Sequence, residues 1–299
     1  MHTITSDNLR VSVSPTGAEL MSIYCTRTNT EHLWQGEAPF WPQRAPILFP
    51  MVGRLKNGTY RHNGREYTMG IHGFLAEAAF RLAEEIIHGQ DERGDFARLT
   101  YEFSDTSATR AIYPFAFTFA ACYTLRGATL EAAYTVTNPS VDETLIFGLG
   151  AHEGLRCPLA PGAYFDDYWL DFGVAGPLAS TIVTEAGLLH DSTFSVPLTN
   201  GRLLLDYELI ERIRTLVFVN IAPKQVTLGT NKAASRITVT YDAPHLAVWT
   251  QTGAPFVCIE PWYGLPDYDD ATGELADKRS QLLLPPGAAQ TYVHSITIK

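Results

Sequence analysis

The stretch TLEAAYTVTN, Thr129 to Asn138, places Leu130, Ala132, Tyr134 and Val136 at every second position, with more polar or smaller residues between them. A two-residue period sends alternate side chains to opposite faces of an extended chain, so this stretch predicts a strand with one apolar face. The period recurs outward in both directions. LRVSVSP alternates through Leu9, Val11 and Val13, and SRITVTYDAP through Ile237, Val239 and Tyr241; HLAVWTQ and YVHSITIK repeat it. β-Branched and aromatic residues fill these runs, and Gly, Pro, Asn and Asp punctuate them, as strands and tight turns require. YRHNGREY predicts a hairpin at Asn63-Gly64, a pair that accepts positive φ. DERGD reads as an exposed turn. Helical signals are few; the composition of FLAEAAFRLAEEIIHG favours helix, yet FRLAEEII also fits a strand. Many short strands with closely spaced turns predict an all-β, antiparallel sandwich or barrel. There is no linker or composition shift, so residues 1–299 read as one β domain.

Charge and motifs exclude several functions. Lys plus Arg number 22 and Asp plus Glu 32, a formal net charge of -10 with no basic cluster. Such a chain is a poor partner for nucleic acid or an anionic membrane. No apolar run approaches the ~20 residues of a spanning helix, and the N-terminus lacks a secretory pattern, so a cytoplasmic location is expected. Cys25, Cys122, Cys157 and Cys258 are scattered, with no C-x-x-C pair. They are expected to be reduced thiols, and no metal site is expected. The phosphate-binding, dinucleotide, H-E-x-x-H and G-x-S-x-G patterns are all missing.

Four polar residues stand out in apolar, Gly- or Pro-rich settings. Arg54 follows PILFPMVG; it reads either as a structural salt bridge or as a fork for sugar hydroxyls or a carboxylate. His72, in MGIHGFL, and His152, in IFGLGAHEGLRCP, read either as hydrogen-bonded core histidines or as members of a site. The glycines around His152 leave room for a ligand near the backbone. Glu260 ends the apolar run of APFVCIEPWYG, with Phe256, Cys258 and Glu260 on one side and Val257 and Ile259 on the other. Pro261 is expected to stop the strand there. Glu260 is either an edge residue reaching water or a carboxylate at a cleft lip, with Trp262 and Tyr263 as walls or as core. Together, a carboxylate and an imidazole form an acid/base pair that needs no cofactor, and flanking aromatics suit a sugar ring.

These segments carry a resemblance. RAPILFPMVGRLKNGTY, HGF, YPFAFTF, GLGAH and APFVCIEPWYG occur in order from Arg44 to Gly264 and resemble the aldose 1-epimerase (galactose mutarotase-like) family, in its LacX-like branch. The resemblance implies an antiparallel β-supersandwich with few short helices and a sugar cleft on a concave face. It implies a cofactor-independent isomerase acting on a small sugar, with Glu260 as catalytic base, His152 as catalytic acid, and His72 and Arg54 binding substrate. The chain departs from the family pattern twice. Glu153 stands where proline often follows the histidine, which implies an altered loop there. Arg214 stands before TLVF where the branch often carries Asn-Asp. Arg44, Arg54 and Arg214 are candidates for a phosphate pocket, so a hexose-6-phosphate 1-epimerase and a non-catalytic sugar-binding protein are the alternatives.

Overall fold

The computed structural model describes residues 1–299. Every strand pairing is antiparallel, and the fold is a β-supersandwich built on two large sheets. The ten-stranded sheet has at its centre Arg236–Tyr241, Ala289–Ile298, Thr129–Thr137, Thr118–Arg126 and Gly94–Ser104. The eight-stranded sheet runs through Leu189–Val196, Leu178–Val183, Thr215–Phe218, His245–Trp249 and Phe256–Trp262 to Gly150–Ala151 and Ile47–Leu48. Glu153–Arg156 also pairs with Phe256–Trp262. A smaller four-stranded sheet is formed by the N-terminal residues His2–Thr5, Leu9–Val13, Leu20–Cys25 and Thr30–Glu31.

The alternation seen in the sequence selects what is buried. Leu130, Ala132, Tyr134 and Val136 are buried, while Thr129, Glu131, Ala133 and Thr135 are partly exposed. Val239 and Ile296 of the larger sheet share one continuous core with Leu216, Val248, Val257 and Ile259 of the smaller. Each fully buried side chain of this kind stabilises the fold by roughly 1.5–3 kcal/mol.

Turns and helices follow local chemistry. Asn63 and Gly64, at φ of 50° and 73°, close the hairpin Thr59–His62/Arg65–Thr68. The helix-favouring stretch after Gly73 contains only one short 3₁₀ turn, Leu75–Glu77, and continues as extended chain. Burial of Leu75 and Phe80 and pairing of Arg81–Leu82 with Gly94–Ser104 override propensity there. The sequence did not announce the helix Tyr207–Ile213, capped by the Asp206 side chain, which accepts from Glu208 N at 2.9 Å. No helix is long and apolar enough to cross a membrane.

One buried hydrogen bond ties the sheets together. Glu153, beside the smaller sheet's strand Phe256–Trp262, accepts from His294 Nε2 of the larger sheet at 2.6 Å, and both side chains are buried. His152 is therefore followed by a strand, not by a loop. Alternation turns Glu153 into the interior, away from the face that His152 occupies. His294→Leu strands the carboxylate and should cost about 3–5 kcal/mol in a denaturant titration, whereas Glu153→Leu/His294→Leu should recover much of that loss. A loss below ~1 kcal/mol for His294→Leu would mean that water reaches Glu153.

Candidate active site

Phe256–Trp262 is the strand on which the site is built. Its odd positions, Val257 and Ile259, enter the core between the sheets, and its even positions face the opposite way. Its register with the neighbouring chain pairs Ile259 with Glu153 and Trp262 with Gly150. Carried across the unpaired gap, that register sets Glu260 opposite His152. Directly opposed residues in antiparallel chains point to the same side of the sheet. His152 Nε2 accordingly lies 3.3 Å from Glu260 Oε2.

Pro261 does not stop the strand, which continues to Trp262. It falls where the ladder to Gly150–Arg156 is interrupted, so its missing N–H costs no bond on that side. The gap frees the His152 backbone from pairing and leaves the His152 and Glu260 side chains on one face.

That face is the floor of a cleft of about 460 Å³ lined by Trp41, Gln43, Arg54, His72, His152, Arg214, Trp249, Glu260 and Trp262. All four residues singled out from the sequence, Arg54, His72, His152 and Glu260, meet here. Trp41, Gln43 and Trp249 join them with no signal in the sequence beyond a Trp-Pro dipeptide and a strand-end tryptophan. Trp262 is a wall, as one alternative expected. Tyr263 is not: its ring packs in the core, and its hydroxyl donates to the exposed Asp242. The glycines flanking His152 do not make room for a ligand. A Cβ at Gly150 would sit 2.8 Å from the Trp262 ring, and one at Gly154 would sit 3.0 Å from Trp41. They make room for the aromatic walls.

Burial sets the charge state of the central pair. Glu260 is 1% exposed and His152 8%. The His152 ring is boxed by Trp41 at 4.8 Å, His72 at 5.4 Å and Trp249 at 5.7 Å between centroids. Desolvation pushes the Glu260 carboxyl well above its ordinary range. The Trp262 indole N–H opposes that shift from nearby without completing a hydrogen bond. Desolvation, and then His72, push the His152 imidazole well below its ordinary range. Glu260 Oε2 and His152 Nδ1 are buried and have no hydrogen-bond partner.

His72 is held rigidly at the rim. Its backbone N–H donates to Gly53 O at 2.9 Å, and its Nδ1 accepts from Gly53 N at 3.1 Å. Nδ1 as acceptor leaves the proton of the neutral ring on Nε2. His72 adopts φ of 64°, a left-handed conformation that costs roughly 1–2 kcal/mol in a side-chain-bearing residue. Burial, and then Arg54, push its pKa down to about 4.

Arg54 is exposed and has no carboxylate within ion-pair distance, so the salt-bridge alternative fails. It packs on Gly187, where φ is 75° and a Cβ would lie 2.9 Å from the Arg54 Cδ. Arg214 ends the helix Tyr207–Ile213 at φ of 65° and donates to Glu185 O at 3.3 Å. Both arginines thus bear on the same turn, Thr184 to Gly187, at the cleft mouth. Arg44 does not line the cleft.

An antiparallel β-supersandwich with this cleft defines a galactose mutarotase-like protein. The family model described as aldose 1-epimerase matches residues 1–274, and the chain belongs to that family. It is 29% identical to the plasmid-encoded protein LacX of Lactococcus lactis subsp. lactis, over 99% of this chain and 98% of that one. Its structure resembles a galactose mutarotase related enzyme from Lactobacillus acidophilus, with TM-score 0.91 and 32% identity over 100% and 97% of the two chains. A galactose mutarotase-like protein from Lactobacillus casei ATCC 334 gives 0.88 and 27%, over the whole of both chains.

The depressed histidines predict a pH effect of definite sign. His72, His152, His32 and His245 all bind protons less readily folded than unfolded. Their contribution to stability is present above the unfolded value of about 6.5 and is lost as pH falls toward 4; Glu260, shifted upward, opposes them but is outnumbered. The melting temperature should fall between pH 7 and pH 4. His72 should remain neutral by NMR at pH 5.5; a His72 resonance titrating near 6.5 would contradict its burial.

Proposed function

We propose that this protein is an aldose 1-epimerase that interconverts the α and β anomers of an aldohexose. The observation that carries the reading is the 3.3 Å approach of His152 Nε2 to Glu260 Oε2 on the floor of an aromatic-walled cleft.

The pair holds one exchangeable proton in either of two arrangements, carboxylate with imidazolium or carboxylic acid with imidazole. Glu260, as carboxylate, takes the proton of the anomeric hydroxyl. His152, as imidazolium, gives its proton to the ring oxygen. The bond from C1 to the ring oxygen breaks and C1=O1 forms. The pair is then in its other arrangement, the one that burial favours. Rotation about C1–C2 turns the other face of the aldehyde toward the C5 hydroxyl. His152 removes that hydroxyl proton, Glu260 returns a proton to O1, and the ring closes as the second anomer. No proton is gained or lost over the cycle. His72 Nε2–H and the Arg54 guanidinium donate to sugar hydroxyls and hold the ring in place. Trp41, Trp249 and Trp262 offer apolar faces to its C–H surface.

A second reading rests on Arg54 and Arg214 at the cleft mouth, which make a 6-phosphate a fitting substituent and the protein a hexose-6-phosphate 1-epimerase. A sugar-binding role without turnover is the reading left if neither substrate reacts.

Glu260→Gln keeps the shape and removes the base, so the mutarotation rate followed by polarimetry should fall ~10²–10⁴-fold. Wild-type speed in this variant would sink the assignment. Comparison of glucose and galactose with their 6-phosphates separates the two enzymatic readings. A kcat/KM preference for the phosphates that disappears in Arg54→Ala or Arg214→Ala supports the second, and equal use of both supports the first.

A further inference from the structure

The even face of Phe256–Trp262 carries one more chemically able group. Cys258 lies two residues before Glu260 and therefore on the same face, in a small cluster with Trp34 and Phe256 that Trp41 and Trp249 close off. One ligand atom each from His152, Cys258 and Glu260 lies within 4.8 Å of the others, and all three residues are buried. His152 Nε2 and Glu260 Oε2 are already 3.3 Å apart, close to the ~3.5 Å that separates neighbouring ligands around a tetrahedral zinc. Cys258 Sγ needs a shift of about 1 Å to join them. Glu260 Oε2 is also a buried polar atom with no hydrogen-bond partner. An unpartnered buried polar atom is costly, and a cation supplies the missing partner.

We infer that His152, Cys258 and Glu260 form a binding site for a thiophilic divalent cation of the zinc class, with its fourth position open to the cleft. The donor set is one thiolate, one imidazole and one carboxylate. That combination selects zinc or cobalt over calcium or magnesium, which require oxygen ligands. Charge balances on binding. The cation displaces the thiol proton of Cys258 and the single proton of the His152–Glu260 pair, so two protons leave as two positive charges arrive. The bound site is neutral, as its burial requires. The metal occupies the same atoms that the proposed acid/base chemistry uses, so it excludes turnover and acts as a reversible inhibitor. That last consequence rests on the proposed function; the binding itself does not.

Cobalt tests the binding directly, because a thiolate ligand gives cobalt(II) a charge-transfer absorption that oxygen and nitrogen ligands do not. The full-length protein, stripped with EDTA and desalted, should develop this band on addition of one equivalent of cobalt(II), and zinc should bleach it. Cys25, Cys122 and Cys157 belong to no comparable group, so Cys258→Ser should abolish the band. Should that variant fail to fold, Glu260→Gln keeps the thiolate and should need at least about tenfold more cobalt to reach the same absorbance. In the mutarotation assay zinc should inhibit, EDTA should restore the rate, and the inhibitory concentration should rise at least about tenfold in Cys258→Ser relative to that variant's own rate. No charge-transfer band in the wild-type protein, or a band unchanged in Cys258→Ser, overturns the site. A rate that rises with zinc overturns the inhibitory role. Failure of the metal-free protein to mutarotate any sugar counts against the proposed function and leaves the cobalt spectrum as the judge of the site.

Discussion

The antiparallel register between Phe256–Trp262 and the chain from Gly150 to Arg156 is the constraint on which the rest depends. A slip of one residue by Phe256–Trp262 would send Glu260 into the core, bring Ile259 out to the cleft and part Glu260 from His152. Two buried features hold the register. Val257 and Ile259 are fully buried between the sheets, and Glu153 is bonded to His294 of the opposing sheet. The departure from the family pattern at Glu153 thus leaves the histidine's neighbourhood extended. It adds a buried hydrogen bond behind the site and puts no new group into it.

Burial gives the site its chemical character. A carboxyl and an imidazole exposed to water would be charged and neutral, respectively, at pH 7, with no proton in common. Enclosed by Trp41, Trp249 and His72, the carboxyl is pushed toward its protonated form and the imidazole toward its neutral form. The neutral arrangement and the ion-pair arrangement then differ by one short transfer. The same enclosure leaves polar atoms without partners, which suits a sugar hydroxyl and equally suits a soft cation.

Much of this was legible in the chain. Alternation in Thr129–Asn138 and its repeats marked the strands because only one face of each is buried, and Asn63-Gly64 marked a turn because few other pairs tolerate its φ values. Arg54, His72, His152 and Glu260 could be picked out because polar residues in apolar, Gly-rich settings are rare, and the family resemblance set them in one cleft. Pro261 misled because strand pairing is judged against a partner the local sequence does not reveal. The glycines near His152 misled for a similar reason. Their missing side chains are filled by Trp41 and Trp262, which come from distant parts of the chain.

By itself, the sequence determined the all-β class, most strand positions and the identity of the polar residues, since periodicity and turn chemistry act over a few residues. Only the tertiary structure decided which face each of those residues serves. Cross-strand register brought His152 to Glu260 and turned Glu153 away, and the packing of the cleft left Arg54 without a carboxylate. Cys258 read as a reduced thiol in the strand. It gained a place beside the pair only because two segments more than a hundred residues apart in the chain meet side by side in one sheet.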